Sequence, residues 1–93
     1  MKIYLAGPIS GQPGYFQTFA EAADKLRKEG HDVFNPAASN QEGRPVNKIM
    51  AFLLPHLCLD CEAIALLPGW RRSGGARIEY MLARYLKLKI IRL

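Results

Sequence analysis

Apolar positions along this chain fall into compact blocks that alternate between two spacings. Residues 2–6, 32–35, 62–67 and 89–93 are short, nearly continuous apolar runs bounded by glycine, proline or charge, and each reads as a strand. Between them the spacing turns helical. Phe16, Phe19, Ala20, Ala23 and Leu26 trace one face of a first helix, which Gly30 closes as a C′ residue. A second helix is expected over residues 47–59, kinked or shortened by Pro55. A third is expected over residues 75–86, with residues 37–46 a polar loop between the second strand and the second helix. The order βαβαβαβ, with strands that do not alternate apolar and polar, predicts a parallel sheet covered on both sides. Right-handed crossovers then give a small doubly wound α/β fold, flavodoxin- or Rossmann-like, with four strands in a single domain over residues 1–93. Ligands of such folds bind outside the carboxyl ends of the strands. The segments 7–14, 35–36 and 68–75 should meet there.

The third helix carries an exception to its own pattern. Its apolar stripe runs through Ala76, Leu82, Ala83 and Leu86, and Glu79 falls on that stripe. The preceding loop, Pro68-Gly69-Trp70-Arg71-Arg72-Ser73-Gly74-Gly75, follows a strand and opens a helix. Free N–H groups and the positive end of the helix dipole suit such a junction to a phosphate. An inward carboxylate beside it has the placement of a catalytic acid or nucleophile. The plainer reading is a first-turn Glu that complements the dipole.

Composition narrows the classes. The chain has 93 residues, 49% of them hydrophobic and 23% charged, the balance of an ordinary globular domain. No apolar run approaches the ~20 residues of a membrane span. The opening Met1-Lys2-Ile3-Tyr4-Leu5-Ala6-Gly7-Pro8 does not read as a signal peptide, so a cytoplasmic location is expected. The net charge of +5 includes Arg71, Arg72, Arg77 and Arg84 around the glycine loop and its helix. That is either a solvated face or a field for small anions. Polymeric nucleic acid is not expected, since basic–aromatic repeats and the known DNA-binding signatures are missing. Cys58 and Cys61 end a helix, where the dipole does not favour a thiolate, and with only His31 and His56 to help they do not make a zinc site. They read as buried structural thiols. No metal or organic cofactor is expected.

Four motifs in order carry a resemblance. Tyr4-Leu5-Ala6-Gly7-Pro8 follows the first strand and Phe34-Asn35-Pro36 the second, while Cys61-Glu62-Ala63 enters the third. Leu67-Pro68-Gly69-Trp70 then leads to Ser73, Gly75, Ala76 and Glu79. Over nearly its whole length the chain resembles the nucleoside 2-deoxyribosyltransferase superfamily, in particular a short uncharacterised branch with the L-P-G-W…S-x-G-A-x-x-E signature. The resemblance implies cleavage of the N-glycosidic bond of a nucleoside or nucleotide, by hydrolysis or by transfer to a second base. Glu79 would attack the anomeric carbon and form a glycosyl-enzyme intermediate. Ser73, with the N–H groups of Gly74 and Gly75, would hold a 5′-hydroxyl or 5′-phosphate. Gly7, Pro8, Ile9 and Ser10 would wall base and sugar, and Asn35, Pro68, Gly69 and Trp70 would complete the substrate contacts. Tyr15 would stack on the base or reach the nucleophile, unless it is a core tyrosine.

The chain also departs from those relatives. They carry a second carboxylate on the helix before the third strand, where residues 51–57 here hold no acid. Asp60, Glu62 or His56 could serve instead, although a lone histidine is commonly structural. Two functions follow: an N-glycosidase or deoxyribosyltransferase acting through Glu79, or a non-catalytic binder that sequesters a nucleotide, cyclic and signalling forms included. The second helix is apolar nearly all round, through Ile49, Met50, Ala51, Phe52, Leu53, Leu54 and Leu57. It therefore asks for burial on more than one side, and a homodimer or higher homo-oligomer with Phe52 and Leu53 in the interface is expected.

Overall fold

The computed structural model describes residues 1–9, 11–39 and 41–93. Among them the strands are β1 (Lys2–Ala6), β2 (Asp32–Phe34), β3 (Ala63–Leu66) and β4 (Lys89–Arg92). The helices are α1 (Tyr15–Lys28), α2 (Val46–Asp60) and α3 (Gly74–Tyr85). All strand pairs are parallel and the sheet order is β2-β1-β3-β4. This is the small doubly wound α/β arrangement that the alternating pattern predicts.

The burial of each strand follows its place in the sheet. β1 and β3 are central and buried along almost their whole length, whereas β2 and β4 are edges and half-exposed. Successive side chains point to opposite faces. Ile3, Leu5, Ala63, Ala65 and Leu67 meet Phe19, Ala23 and Leu26 of α1 on one face. Tyr4, Ala6, Ile64 and Leu66 meet Leu53 and Leu57 of α2 and Ala76 and Ala83 of α3 on the other. The chain therefore leaves β1 toward one face and β3 toward the opposite face. Between these two neighbours the carboxyl ends part and a crevice opens.

The first helix ends as its sequence indicates. Gly30, at φ 96°, donates its N–H to Arg27 O, and His31 donates to Leu26 O, which closes a Schellman turn. Other details depart from the sequence reading. Phe16 and Ala20 lie on the exposed side of α1, because the buried stripe is narrower and runs through Phe19, Ala23 and Leu26. The segments Pro36–Ser39 and Trp70–Arg72 wind into short 3₁₀ turns rather than open loops. Pro55 neither ends nor shortens α2, which runs through it to Asp60. Its ring faces outward, while Leu53 and Leu57 on either side of it are anchored in the core, and this packing offsets the missing N–H.

The ring of apolar residues on α2 divides in the same way. Leu53 and Leu57 are buried within the single chain, so Leu53 is not available to an interface; Phe52 remains exposed. Leu86 lies beyond the end of α3 and is exposed, leaving Ala76, Glu79 and Ala83 as the buried stripe. Of the two free thiols only Cys61 is buried, while Cys58 points to solvent. Burial pushes the Cys61 thiol up to about 11, which keeps it protonated and unreactive at neutral pH. No helix among the described residues is long and apolar enough to cross a membrane.

Candidate functional site

Glu79 is the one charged residue in the buried set of the described residues, at 5% exposure. A carboxylate so placed needs a donor, and β1 supplies one. The hydroxyl of Tyr4, itself fully buried on the same face of the sheet, donates to Glu79 Oε2. The Tyr4 ring is held in turn by stacking on Phe34, with centroids 5.4 Å apart. Burial raises the Glu79 carboxyl to about 7, against the lowering effect of the Tyr4 hydrogen bond. The Tyr4 phenol is pushed up, first by burial and then by the Glu79 charge, so the proton of this pair stays on the phenol oxygen. Glu79 is thus poised between acid and carboxylate near neutral pH.

Glu79 also faces a cavity of about 800 Å³ at the carboxyl ends of β1 and β3. That volume suits a nucleoside-sized ligand. Gly7, Ile9 and Tyr15 line it from the β1 side; Ser73, Gly75 and Ala76 line it from the start of α3. Gly7 is there for close approach, since a Cβ on it would stand 2.8 Å from Leu67 Cβ. Ser73 caps α3: its Oγ accepts from Ala76 N at 3.2 Å, so its own proton remains free to donate. Gly74 and Gly75 occupy the first helical positions, where the helix offers their N–H groups no acceptor. Ser73 and this helix start therefore form an anion-favouring part of the wall of the cavity that Glu79 also lines.

The other residues expected at the site are dispersed. Pro8 and Gly74 are chain neighbours of lining residues but do not themselves line the cavity. Asn35 turns away from it: Oδ1 accepts from Ala37 N at 3.0 Å, an Asx turn that presents Pro36 and Ala37 to the cavity instead. Pro68, Gly69 and Trp70 line a second, separate cavity, because the 3₁₀ turn Trp70–Arg72 swings them to the other side of the loop. Ser10 lies outside the described residues.

The arginines near the glycine loop are displaced in the same way. Arg71 and Arg72 face the second cavity, and Arg77 is exposed and lines neither. The arginine of the Glu79 cavity is Arg44. None of the three candidate second acids reaches the cavity. Glu62 Oε1 accepts from Lys2 N at 3.2 Å, at the amino ends of the strands, which is the wrong end of the sheet. Asp60 pairs with His56 Nδ1 at 3.2 Å, and the His56 ring stacks on Phe34 at 4.3 Å.

Two contributions were not anticipated from the sequence. Tyr4 was hidden in an apolar run; the one signal was a phenol in a strand buried on both faces, which must find a partner for its O–H. The segment 41–46, read as a bare loop, forms the outer wall through Gln41, Glu42, Gly43, Arg44 and Val46. Arg44 N bonds to Gln41 O at 3.2 Å, and Gly43 at φ 83° completes the turn, so Glu42 is the second carboxylate of the cavity.

No curated protein matches the chain. A family model described as a domain of unknown function, DUF4406, spans residues 1–92, and by this match the chain belongs to that family.

Proposed function

We propose that this protein breaks the N-glycosidic bond of a nucleoside or nucleotide, by hydrolysis or by transfer to a second base, with Glu79 as the nucleophile. The observation that carries the reading is the buried Glu79 carboxyl, held by Tyr4 and raised to about 7, on the floor of a nucleoside-sized cavity. Resemblance to the nucleoside 2-deoxyribosyltransferases supports it independently, through the Ser73 to Glu79 motif. In the first step a Glu79 oxygen attacks the anomeric carbon, and the electron pair of the breaking C–N bond leaves with the base, which takes up a proton from solvent. Tyr4 fixes one carboxylate oxygen and leaves the other to react. In the second step water or another base displaces Glu79 from the glycosyl ester, restoring the carboxylate. Ser73, the N–H group of Gly75, and Arg44 are suited to the 5′ end of the substrate.

One observation favours the second reading, a nucleotide binder without turnover. His56, Asp60 and Glu62 all lie away from the cavity, which leaves only rim-exposed Glu42 to assist the leaving base. The deciding experiment incubates the protein with a panel of nucleosides and their 5′-monophosphates and follows free base and retained ligand by mass spectrometry. Base release is expected, with tighter binding of monophosphates than of nucleosides at low salt. Ligand retained intact across the whole panel would establish the binder and end the enzymatic reading.

Self-association belongs to the same proposal. Phe52 and Leu59 on α2, and Ile78, Met81 and Tyr85 on α3, are exposed apolar side chains on the two helices that share one face of the sheet. A second copy of the chain is the expected cover, placed close to the cavity wall that α2 contributes. Light scattering should give at least twice the monomer mass at micromolar concentration. A monomer mass there, or an unchanged mass for a folded Phe52→Asp variant, would contradict this interface.

A further inference from the structure

The second cavity is a site in its own right. It has a volume of about 430 Å³ and lies at the carboxyl ends of β3 and β4, on the far side of the 67–73 loop from Glu79. Its charged lining consists of Arg71, Arg72 and Arg92; no acidic side chain lines it. Among the described residues the ion pairs are Lys2–Asp32, Lys28–Asp24 and His56–Asp60, so none of these guanidinium groups has a carboxylate partner. Three like charges brought into one concavity repel one another, screened by solvent because these side chains are exposed, and a bound anion relieves that repulsion.

The walls around these arginines are fixed. Leu93 N donates to Leu66 O at 3.0 Å, which extends the parallel ladder past β4 and places Arg92 beside the loop. Arg72 N donates to Gly69 O at 3.0 Å, and Gly69 at φ 83° makes the turn. Arg71 lies over the Trp70 ring, 4.9 Å from its centroid. The Trp70 ring also packs on Tyr80, with centroids 4.6 Å apart. Both Arg71 and Tyr80 pack against the indole, which occupies ring surface a nucleobase would need. The cavity therefore offers charge and N–H donors rather than an aromatic platform.

We propose that this cavity binds the phosphates of a small phosphate-bearing ligand, with Arg72 and Arg92 as the main contacts and Arg71 held ready by Trp70. The site is separate from the Glu79 cavity and stands whether or not Glu79 is a nucleophile. Guanidinium forks match phosphate oxygens bidentately, and three of them suit a group carrying two or more negative charges, such as a pyrophosphate. Both cavities use the loop that joins β3 to α3: Ser73 at its end faces one, and the residues just before it face the other.

Trp70 is the only tryptophan in the chain, so its emission reports on this wall directly. Inorganic pyrophosphate titrated at constant ionic strength should change that emission saturably. An Arg72→Gln, Arg92→Gln double variant should weaken the apparent affinity at least about tenfold. An Arg77→Gln, Lys87→Gln variant removes the same charge from positions that line neither cavity and should stay within about twofold of the wild type. All four side chains are exposed, so the fold is not at risk, and circular dichroism melts verify this. A response that never saturates, or one that chloride reproduces, would overturn the proposal. So would wild-type affinity in the double variant, or equal losses in the two variants. Oligothymidylates form the second arm; affinity that climbs with their length and exceeds that for pyrophosphate would overturn the small-ligand assignment in favour of a strand.

Discussion

Replacing Glu79 with glutamine should make the protein more stable above pH 7 and abolish the base release proposed for it. The carboxyl titrates near 4.5 in an unfolded chain and at about 7 in the folded one, where burial opposes its charge. Between those values the native state holds more protons than the unfolded state, so stability falls as pH rises. Below pH 4.5 the group is neutral in both states and costs nothing; above pH 7 the full penalty, on the order of 3 kcal/mol, applies. Glutamine keeps the shape and an acceptor for the Tyr4 hydroxyl but carries no charge. Chemical denaturation should therefore find the variant about as stable as the wild type at pH 4 and up to ~3 kcal/mol more stable at pH 8. Base release should fall by at least about a thousandfold, because the attacking oxygen is gone while the binding walls remain. Equal stabilities at pH 8 would mean that Glu79 is not held near neutrality. Undiminished base release would remove it from the chemistry.

Tyr4→Phe should act on the same group from the other side. The phenol is fully buried and donates to Glu79, so the change removes one hydroxyl and leaves the ring and its stacking on Phe34 in place. The lost hydrogen bond is one that favours the charged carboxylate, so Glu79 should titrate above 7 in the variant. If the nucleophile must be ionised, the rising limb of the pH–rate profile moves to higher pH. Turnover at pH 6.5 should drop about tenfold and recover toward pH 9, since a shift of one unit is a factor of ten in the ionised fraction. Stability above pH 7 should fall by about 1.5–3 kcal/mol, the cost of leaving a buried charge without its donor, and by less at pH 5. A limb that does not move would reduce Tyr4 to a packing residue.

The two variants together separate catalysis from architecture. Both lie in the core layer between the sheet and α2 and α3, so a purely structural Glu79 would lose stability in both cases. Opposite signs at pH 8, stabilisation by Glu79→Gln and loss by Tyr4→Phe, are the signature of a charge held there against the preference of its surroundings.

The alternation of short apolar runs with helical spacing determined, from sequence alone, the order of elements, the parallel sheet and a crevice at the carboxyl ends of its strands. Those features follow from periodicity and chain connectivity, which are local or nearly so. Glu79 was legible for the same reason: a charge on the apolar stripe of a helix breaks the pattern. Ser73 entered only through the resemblance, and its capping of α3 came from the structure. Everything that required one segment to choose its side of another was decided by the tertiary structure. The 3₁₀ turn at Trp70–Arg72 rotates Trp70, Arg71 and Arg72 away from Ser73, although they adjoin in sequence, and so makes two sites from what reads as one loop. The segment 41–46 has no periodicity of its own, yet packing brings Glu42 and Arg44 over the cavity. Tyr4 reads as one of four apolar residues in β1, after Lys2. Only the parallel pairing that sets β1 beside β3, and α3 across that face, turns its hydroxyl toward Glu79, because a side chain 75 positions away is beyond any local pattern.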